Sequence, residues 1–389
     1  MWFVSFESTL YTFSDLKSRV KEVMLLVVLS HPHNGWSMVK FSTMLKKFIN
    51  PGLHHVNFIS PTNWFSEKIP NLKIRKIVNY CEKKVLFPLI LPFYAKKVGA
   101  RYLLLCDHSD AQLTLLVQNC VRIVICHDLF AIQAMLGEIP NIKQSFREKA
   151  ELRVNYSMLK KSNLIIAVSE STAQNIEQYL PAIPVEVLPL TVTKVSGEIS
   201  HEDLEDIRLF GQFCILPMNS HWRKNRIEGI QAWSELRLVS PEKNLRLVII
   251  GNQLDKQELH FLNENGGLAH VHIRSNVSEE FLASLYQKCE FVIFTSRYEG
   301  FGLPIIESNC YGKLVLHSDL EVLNKIAGPY NIKLQNSFQD NEWRNILENL
   351  LSKDRRLQAL NYYKDNYSNK RFEDKLEKIL SDVMIKANK

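Results

Sequence analysis

Short apolar, β-branched runs recur along this 389-residue chain, separated by longer stretches whose apolar residues return at helical spacing. That alternation is the pattern of parallel strands joined by covering helices. Five runs fall in the first half, at residues 22–29, 102–106, 121–126, 164–168 and 185–188, and five more at 213–216, 245–250, 271–273, 291–294 and 314–316. Between the sets, residues 189–200 (PLTVTKVSGEIS) are polar and interrupted by Pro and Gly, as a linker would be. The length suits two domains, each able to bury its own core. The expected fold class is therefore α/β, with Rossmann-like domains at residues 1–192 and 193–370. A closing helix at 371–389 follows, in which Phe372, Leu376, Ile379, Leu380, Val383 and Met384 share one face. Open parallel sheets bind ligands at the carboxyl ends of their strands, so two such edges facing each other would form a deep cleft.

Several classes are excluded. With 46% hydrophobic and 23% charged residues and no low-complexity tract, the chain reads as globular rather than disordered. Its seven cysteines are scattered and lack a C-x-x-C pair, which favours reduced thiols in a cytoplasmic protein and no metal site. Residues 1–19 carry Glu7 and Asp15 and do not read as a signal peptide, and no apolar run approaches the roughly 20 residues that span a bilayer.

The net charge of +7 is unevenly placed. Residues 40–101 hold twelve Lys or Arg against Glu67 and Glu82, whereas residues 196–389 hold 25 basic and 27 acidic side chains. Within the basic region, the apolar segment 85–94 is flanked by Lys83, Lys84, Lys96 and Lys97. Apolar bulk beside clustered lysine suits an anionic membrane surface, and it suits equally a core helix with solvated ends. No interleaved basic and aromatic module points to nucleic acid.

The chemistry concentrates at residues 294–307, FTSRYEGFGLPIIE, where an apolar run passes through a loop with Gly300 and Gly302 into a helix beginning near Pro304. Glycine permits close backbone approach, and a helix N-terminus favours phosphate. Glu307, one turn into that helix, can accept hydrogen bonds from vicinal hydroxyls, as acids do for ribose in dinucleotide sites. Singly, Glu299 reads as a solvated loop charge and Glu307 as a first-turn acid. A second stretch, 215–225 (ILPMNSHWRKN), places Arg223 and Lys224 together after a strand, where they can clamp a diphosphate. A third, VICHDL at 124–129, ends a strand on His127 and Asp128. In Asn163–Thr172 (NLIIAVSEST), Ser169 and Glu170 read as helix caps.

Taken together, E-x7-E around G-F-G-L-P resembles the donor-site signature of retaining glycosyltransferases of the GT-B fold, family four (glycosyl transferases group 1). The R-K-N, H-D and V-S-x-S/T segments are similar to that family as well, and the likeness is strong from about 213 to 328 and patchy before 121. It implies that Glu299 lies near the donor sugar, that Glu307 binds the nucleotide ribose, and that Gly300, Phe301, Gly302 and Leu303 approach the diphosphate and sugar. Arg223 and Lys224 would bind the donor phosphates, although the family's leading Gly is replaced by His221-Trp222. His127 would contact the sugar and take part in the reaction, with Asp128 orienting it. Gly35 stands alone where relatives carry a Gly-rich turn. The implied reaction is metal-independent, needs no cofactor and retains configuration, with a UDP- or GDP-sugar as substrate and the leaving diphosphate assisting deprotonation of the acceptor. The acceptor would be a glycan or lipid-linked hydroxyl in cell-surface polysaccharide or lipopolysaccharide synthesis, at the cytoplasmic membrane face. A nucleotide-sugar epimerase of the same fold and a non-catalytic membrane-associated scaffold are the alternatives.

Overall fold

The computed structural model describes residues 25–30, 36–49, 55–61, 65–139, 142–335 and 339–387. The described chain forms two compact units. One takes the described residues up to Ala167, Ile176–Glu186 and those from Leu380; the other takes Val168–Asn175 and Val187–Ile379.

In the first unit a six-stranded sheet has the order β2-β1-β3-β4-β5-β6. Its strands are β1 (Leu25–Val28), β2 (Val56–Ile59), β3 (Tyr102–Leu105), β4 (Val121–Cys126), β5 (Leu164–Ala167) and β6 (Val185–Val187). The second unit holds another six-stranded sheet, β12-β11-β10-β7-β8-β9, from β7 (Phe213–Leu216), β8 (Arg246–Ile250), β9 (Val271–Arg274), β10 (Val292–Phe294), β11 (Val315–His317) and β12 (Ile332–Lys333). Pairings in the second sheet are parallel throughout. Strands such as β7, FCIL, are buried at every position, as expected where helices cover both faces of a sheet.

Two strands escape a search for apolar runs. β2 reads VNFI and is only half-buried over its first three residues, and β12 is two residues long. Residues 189–200 depart from a solvated linker in a different way. They lack regular structure, yet Leu190, Thr191 and Val192 are buried, Thr191 Oγ1 donates to the Tyr367 carbonyl at 2.6 Å, and the Val192 carbonyl accepts from the Tyr363 hydroxyl at 2.8 Å. The segment is a strap laid on the second unit. Helix Asn369–Ala387 follows at the end of the chain, burying Phe372, Leu376, Ile379 and Leu380.

Strand order locates the ligand edges. In the second sheet the chain winds outward through β7, β8 and β9, then returns to start β10 on the other side of β7. The carboxyl ends of the strands where winding reverses are the usual ligand crevice of open parallel sheets. That reversal lies between β7 and β10, and in the first sheet between β1 and β3.

Helix Leu72–Cys81, a π-helical turn at Glu82–Leu86 and helix Phe87–Lys97 run on from one another. Phe87, Leu91 and Ala95 face inward, whereas Ile74, Ile77, Val85, Leu89 and Phe93 are exposed, Phe93 at 77%. The segment therefore buries one set of its apolar side chains and leaves another exposed. Its lysines divide likewise. Lys83 lies 3.0 Å from buried Asp110 and Lys84 lies 3.9 Å from Glu151, with burial, then Lys83, pushing the Lys84 amine below its ordinary value. Lys73, Lys76, Lys96 and Lys97 are exposed. The remaining acid of this stretch, Glu82, is buried and accepts from the Ser66 amide. No helix among the described residues is long and apolar enough to cross a membrane. All seven cysteines are free, and Cys106, Cys126, Cys214, Cys289 and Cys310 are buried.

Candidate donor site

The loops leaving β7 and β10 carry the residues singled out in the second half of the sequence. After β7 the chain makes a single 3-10 turn, Trp222–Lys224, before helix Arg226–Leu238. The missing glycine is replaced by two other devices. The His221 ring accepts at Nδ1 from the Arg223 amide at 3.3 Å, capping the turn, and Asn225 takes the left-handed conformation at φ 51°. Asparagine tolerates that region because its short polar side chain can bond locally. Burial, then Arg223 and Lys224, lower the His221 pKa, so the ring caps as a neutral acceptor beside two cations.

The loop after β10 meets this turn. The Arg297 amide donates to the Arg223 carbonyl at 2.7 Å, and buried Thr295 donates through Oγ1 to the Asn225 carbonyl at 3.1 Å. Side chains close the arrangement, with Lys224 Nζ 2.5 Å from Glu299 Oε1 and 5.8 Å from the centre of the Phe294 ring. Arg223, Lys224 and Glu299 are thus brought to one place from two loops.

Gly300 is fixed from far along the chain. Its carbonyl accepts from Ser169 Oγ at 2.6 Å and from Thr172 Oγ1 at 3.0 Å, while Ser169 Oγ also accepts from the Thr172 amide. Ser169 is therefore a cap, as its sequence context suggested, and also an anchor for the loop. Phe301 is buried, edge-on to Tyr367 with ring centres 6.0 Å apart. Gly302 precedes helix Leu303–Cys310 at φ 116°, and a Cβ there would stand 2.7 Å from the Leu323 side chain. The backbone conformation calls for glycine, whereas the Leu323 methyl, at the end of a flexible side chain, could shift aside. Leu303 opens the helix, and Glu307 projects from its second turn, where Oε2 accepts from the hydroxyl of buried Tyr286 at 2.8 Å. Tyr286 itself stacks nearly parallel on Tyr311.

His127 and Asp128 belong to the first unit, just past β4. The buried His127 ring has Nε2 2.9 Å from the Cys106 carbonyl, which can only accept, so Nε2 carries the hydrogen. Burial lowers its pKa, Asp107 beside it pulls the other way, and the neutral imidazole is favoured. Burial raises the Asp107 carboxyl, but His108 and His127 and the Ser109 amide outweigh it and hold it below its ordinary value. Asp128 caps the following turn through Oδ1, which accepts from the Phe130 amide at 3.0 Å. The His127 ring is held by the Cys106 backbone and meets Phe41 edge-on, with ring centres 4.8 Å apart. Gly35 lies outside the described residues. Among the described residues, no group of three or more His, Cys, Asp or Glu is arranged to hold a metal ion.

Residues 221–367 match the family model described as glycosyl transferases group 1. Most of the second unit is thus similar to a group 1 glycosyltransferase domain. The Escherichia coli serotype-specific mannosyltransferase WbdA is 24% identical over 267 residues, covering 63% of this chain and 31% of the relative, so the chain spans under a third of that protein. The Xanthomonas campestris GDP-mannose:cellobiosyl-diphosphopolyprenol alpha-mannosyltransferase is 23% identical over 168 residues, 42% of each chain. Among solved structures, the sucrose-phosphate synthase of Thermosynechococcus elongatus superposes with a TM-score of 0.68 at 12% identity, covering 93% of this chain and 99% of that one. That likeness, with two parallel Rossmann-like sheets, makes the fold GT-B. The group 1 domain match begins at the R-K-N turn and contains the whole 294–307 loop.

Four features of the second unit are not apparent from the sequence as parts of the site. The Ser169–Gly300 bond joins residues 131 positions apart and the Lys224–Glu299 pair residues 75 apart, separations that no local pattern reports. Tyr286 sits in an ordinary amphipathic helix, and the capping role of His221 depends on the turn that follows it.

Proposed function

We propose that this chain transfers a hexose from a nucleotide-sugar donor to a hydroxyl of a glycan or lipid-linked acceptor, with retention, in the synthesis of cell-surface polysaccharide or lipopolysaccharide. The observation that carries the proposal is the meeting of Arg223, Lys224 and Glu299 at the β7–β10 crevice of the unit similar to a group 1 domain, with Glu307 on the helix that leaves the same loop. Two cations suit a diphosphate leaving group, and an acid one turn along a helix suits ribose hydroxyls. The donor is a UDP- or GDP-sugar; the mannosyltransferase names of the sequence relatives put GDP-mannose first among those to try. His127, buried just past β4, is proposed as a sugar contact and a participant in the reaction.

The test is nucleotide release from a panel of UDP-, GDP- and ADP-sugars, with and without glycan and polyprenyl-diphosphate acceptors. Stimulated release with one donor is the expected outcome, and none with any pair would retire the proposal. An epimerase would isomerise the donor without needing an acceptor, and a scaffold would do neither.

The protein is further proposed to work as a peripheral protein at the cytoplasmic membrane face. Support comes from exposed Ile74, Ile77, Val85, Leu89 and Phe93 and exposed Lys73, Lys76, Lys96 and Lys97 within the same consecutive helices. Each cation near an anionic surface contributes on the order of 1 kcal/mol. Converting those four lysines to Gln is expected to weaken binding to phosphatidylglycerol vesicles by at least about tenfold in a sedimentation assay. Equal binding by the parent and the quadruple variant would remove the membrane from this account.

A further inference from the structure

The backbone around Lys224 and Glu299 is held by bonds that involve neither side chain. Arg297 to Arg223, Thr295 to Asn225, and Ser169 and Thr172 to Gly300 fix the two loops. The ion pair rides on this platform. Lys224 and Glu299 side chains are 25% and 12% exposed, shielded enough for their attraction to exceed that of a screened surface pair. Lysine carries its charge on a flexible four-carbon stem with three rotatable donors, so the ammonium can change partner without moving the loops.

Resting on the donor reading above, we infer that Lys224 exchanges partners during the cycle, leaving Glu299 for the donor's diphosphate and returning when the nucleotide departs. Glu299 is the ion-pair partner of the ammonium in the structure. A diphosphate brings greater negative charge and more acceptor oxygens than one carboxylate, and it takes the ammonium from Glu299. The freed carboxylate then accepts hydrogen bonds from hydroxyls of the sugar. Capture of the phosphates and exposure of the sugar-binding acid become one event. After transfer the sugar no longer engages Glu299, which competes again for Lys224 and helps to expel the nucleoside diphosphate. Product release limits turnover in many enzymes, so such competition bears on rate.

The consequence runs against the usual effect of deleting a binding residue. Removing the Glu299 charge should tighten product binding, because the diphosphate no longer competes for the ammonium. The experiment is calorimetric titration of UDP and GDP into the full chain, the Glu299→Gln and Lys224→Gln variants, and the double variant, with melting curves confirming that each is folded. Glu299→Gln is expected to tighten the nucleoside diphosphate about three- to tenfold. The same change in the Lys224→Gln background is expected to have little effect, since the cycle isolates the pairwise coupling. Tightening of equal size in both backgrounds would show simple repulsion between carboxylate and phosphate and would overturn the exchange. An unchanged or weaker affinity in Glu299→Gln would overturn it too. Failure of the parent chain to bind either nucleotide would strike at the donor reading itself, which separates the two outcomes.

Discussion

Glu258→Ala is expected to destabilise the protein by about 3–5 kcal/mol. Arg226 and Glu258 are both almost completely buried and form a two-pronged pair, Nε to Oε1 at 2.7 Å and Nη2 to Oε2 at 2.5 Å. The remaining guanidinium hydrogens reach the Asn252 and Gln253 carbonyls at 2.7 and 2.9 Å. Glu258 also completes a capping box with Asp255 at the start of helix Lys256–Glu264. Its removal leaves a buried cation without a counter-charge and a helix without part of its cap. Denaturant midpoints measure the loss, and a change below about 1 kcal/mol would mean that water or a neighbouring group compensates the arginine. Replacing both partners, as Arg226→Met with Glu258→Leu, should recover most of the stability, since a matched apolar pair carries no desolvation cost. The pair also sets where the R-K-N turn stands, because Arg226 is the first residue of the helix that follows it.

Arg223→Ala is expected to lower kcat about 100- to 1000-fold in the nucleotide-release assay, with little change in melting temperature. The side chain sits in a turn whose backbone is fixed independently, by the His221 cap and the Arg297 amide, so its loss should act on chemistry rather than on folding. A cation meeting charge that grows on the leaving diphosphate stabilises the transition state more than the bound donor, which is why kcat should suffer more than KM. A rise in KM with kcat intact would assign Arg223 to ground-state binding alone. An effect below threefold would take it out of the site.

What the sequence made legible follows from how far each feature extends along the chain. Strands such as β1 and β5 announce themselves because burial on both faces demands an unbroken aliphatic run. β2 does not, since its sheet-edge position leaves Val56, Asn57 and Phe58 half-exposed and its composition ambiguous. The 294–307 segment was readable because strand, loop and helix N-terminus are consecutive, so Glu299, Gly302 and Glu307 stand in one short string. Features built across distance were not. Nothing near Gly300 signals that Ser169 and Thr172 hold its carbonyl, and nothing near His127 signals that a backbone carbonyl at Cys106 sets its tautomer. Lys83 reads as a flanking cation until Asp110, from a different segment, is found beneath it.

The placement of Val168–Asn175 with the second unit has a consequence for how the molecule can be divided. The chain passes between the units four times, after Ala167, Asn175, Glu186 and Ile379, so no single cut releases either unit whole. A fragment begun at the strap would keep the second sheet but leave the Gly300 carbonyl without both of its hydroxyl donors. Inheritance, expression and loss of these two units are therefore tied together. A gene that lost its first half would lose the means of holding its own 294–307 loop.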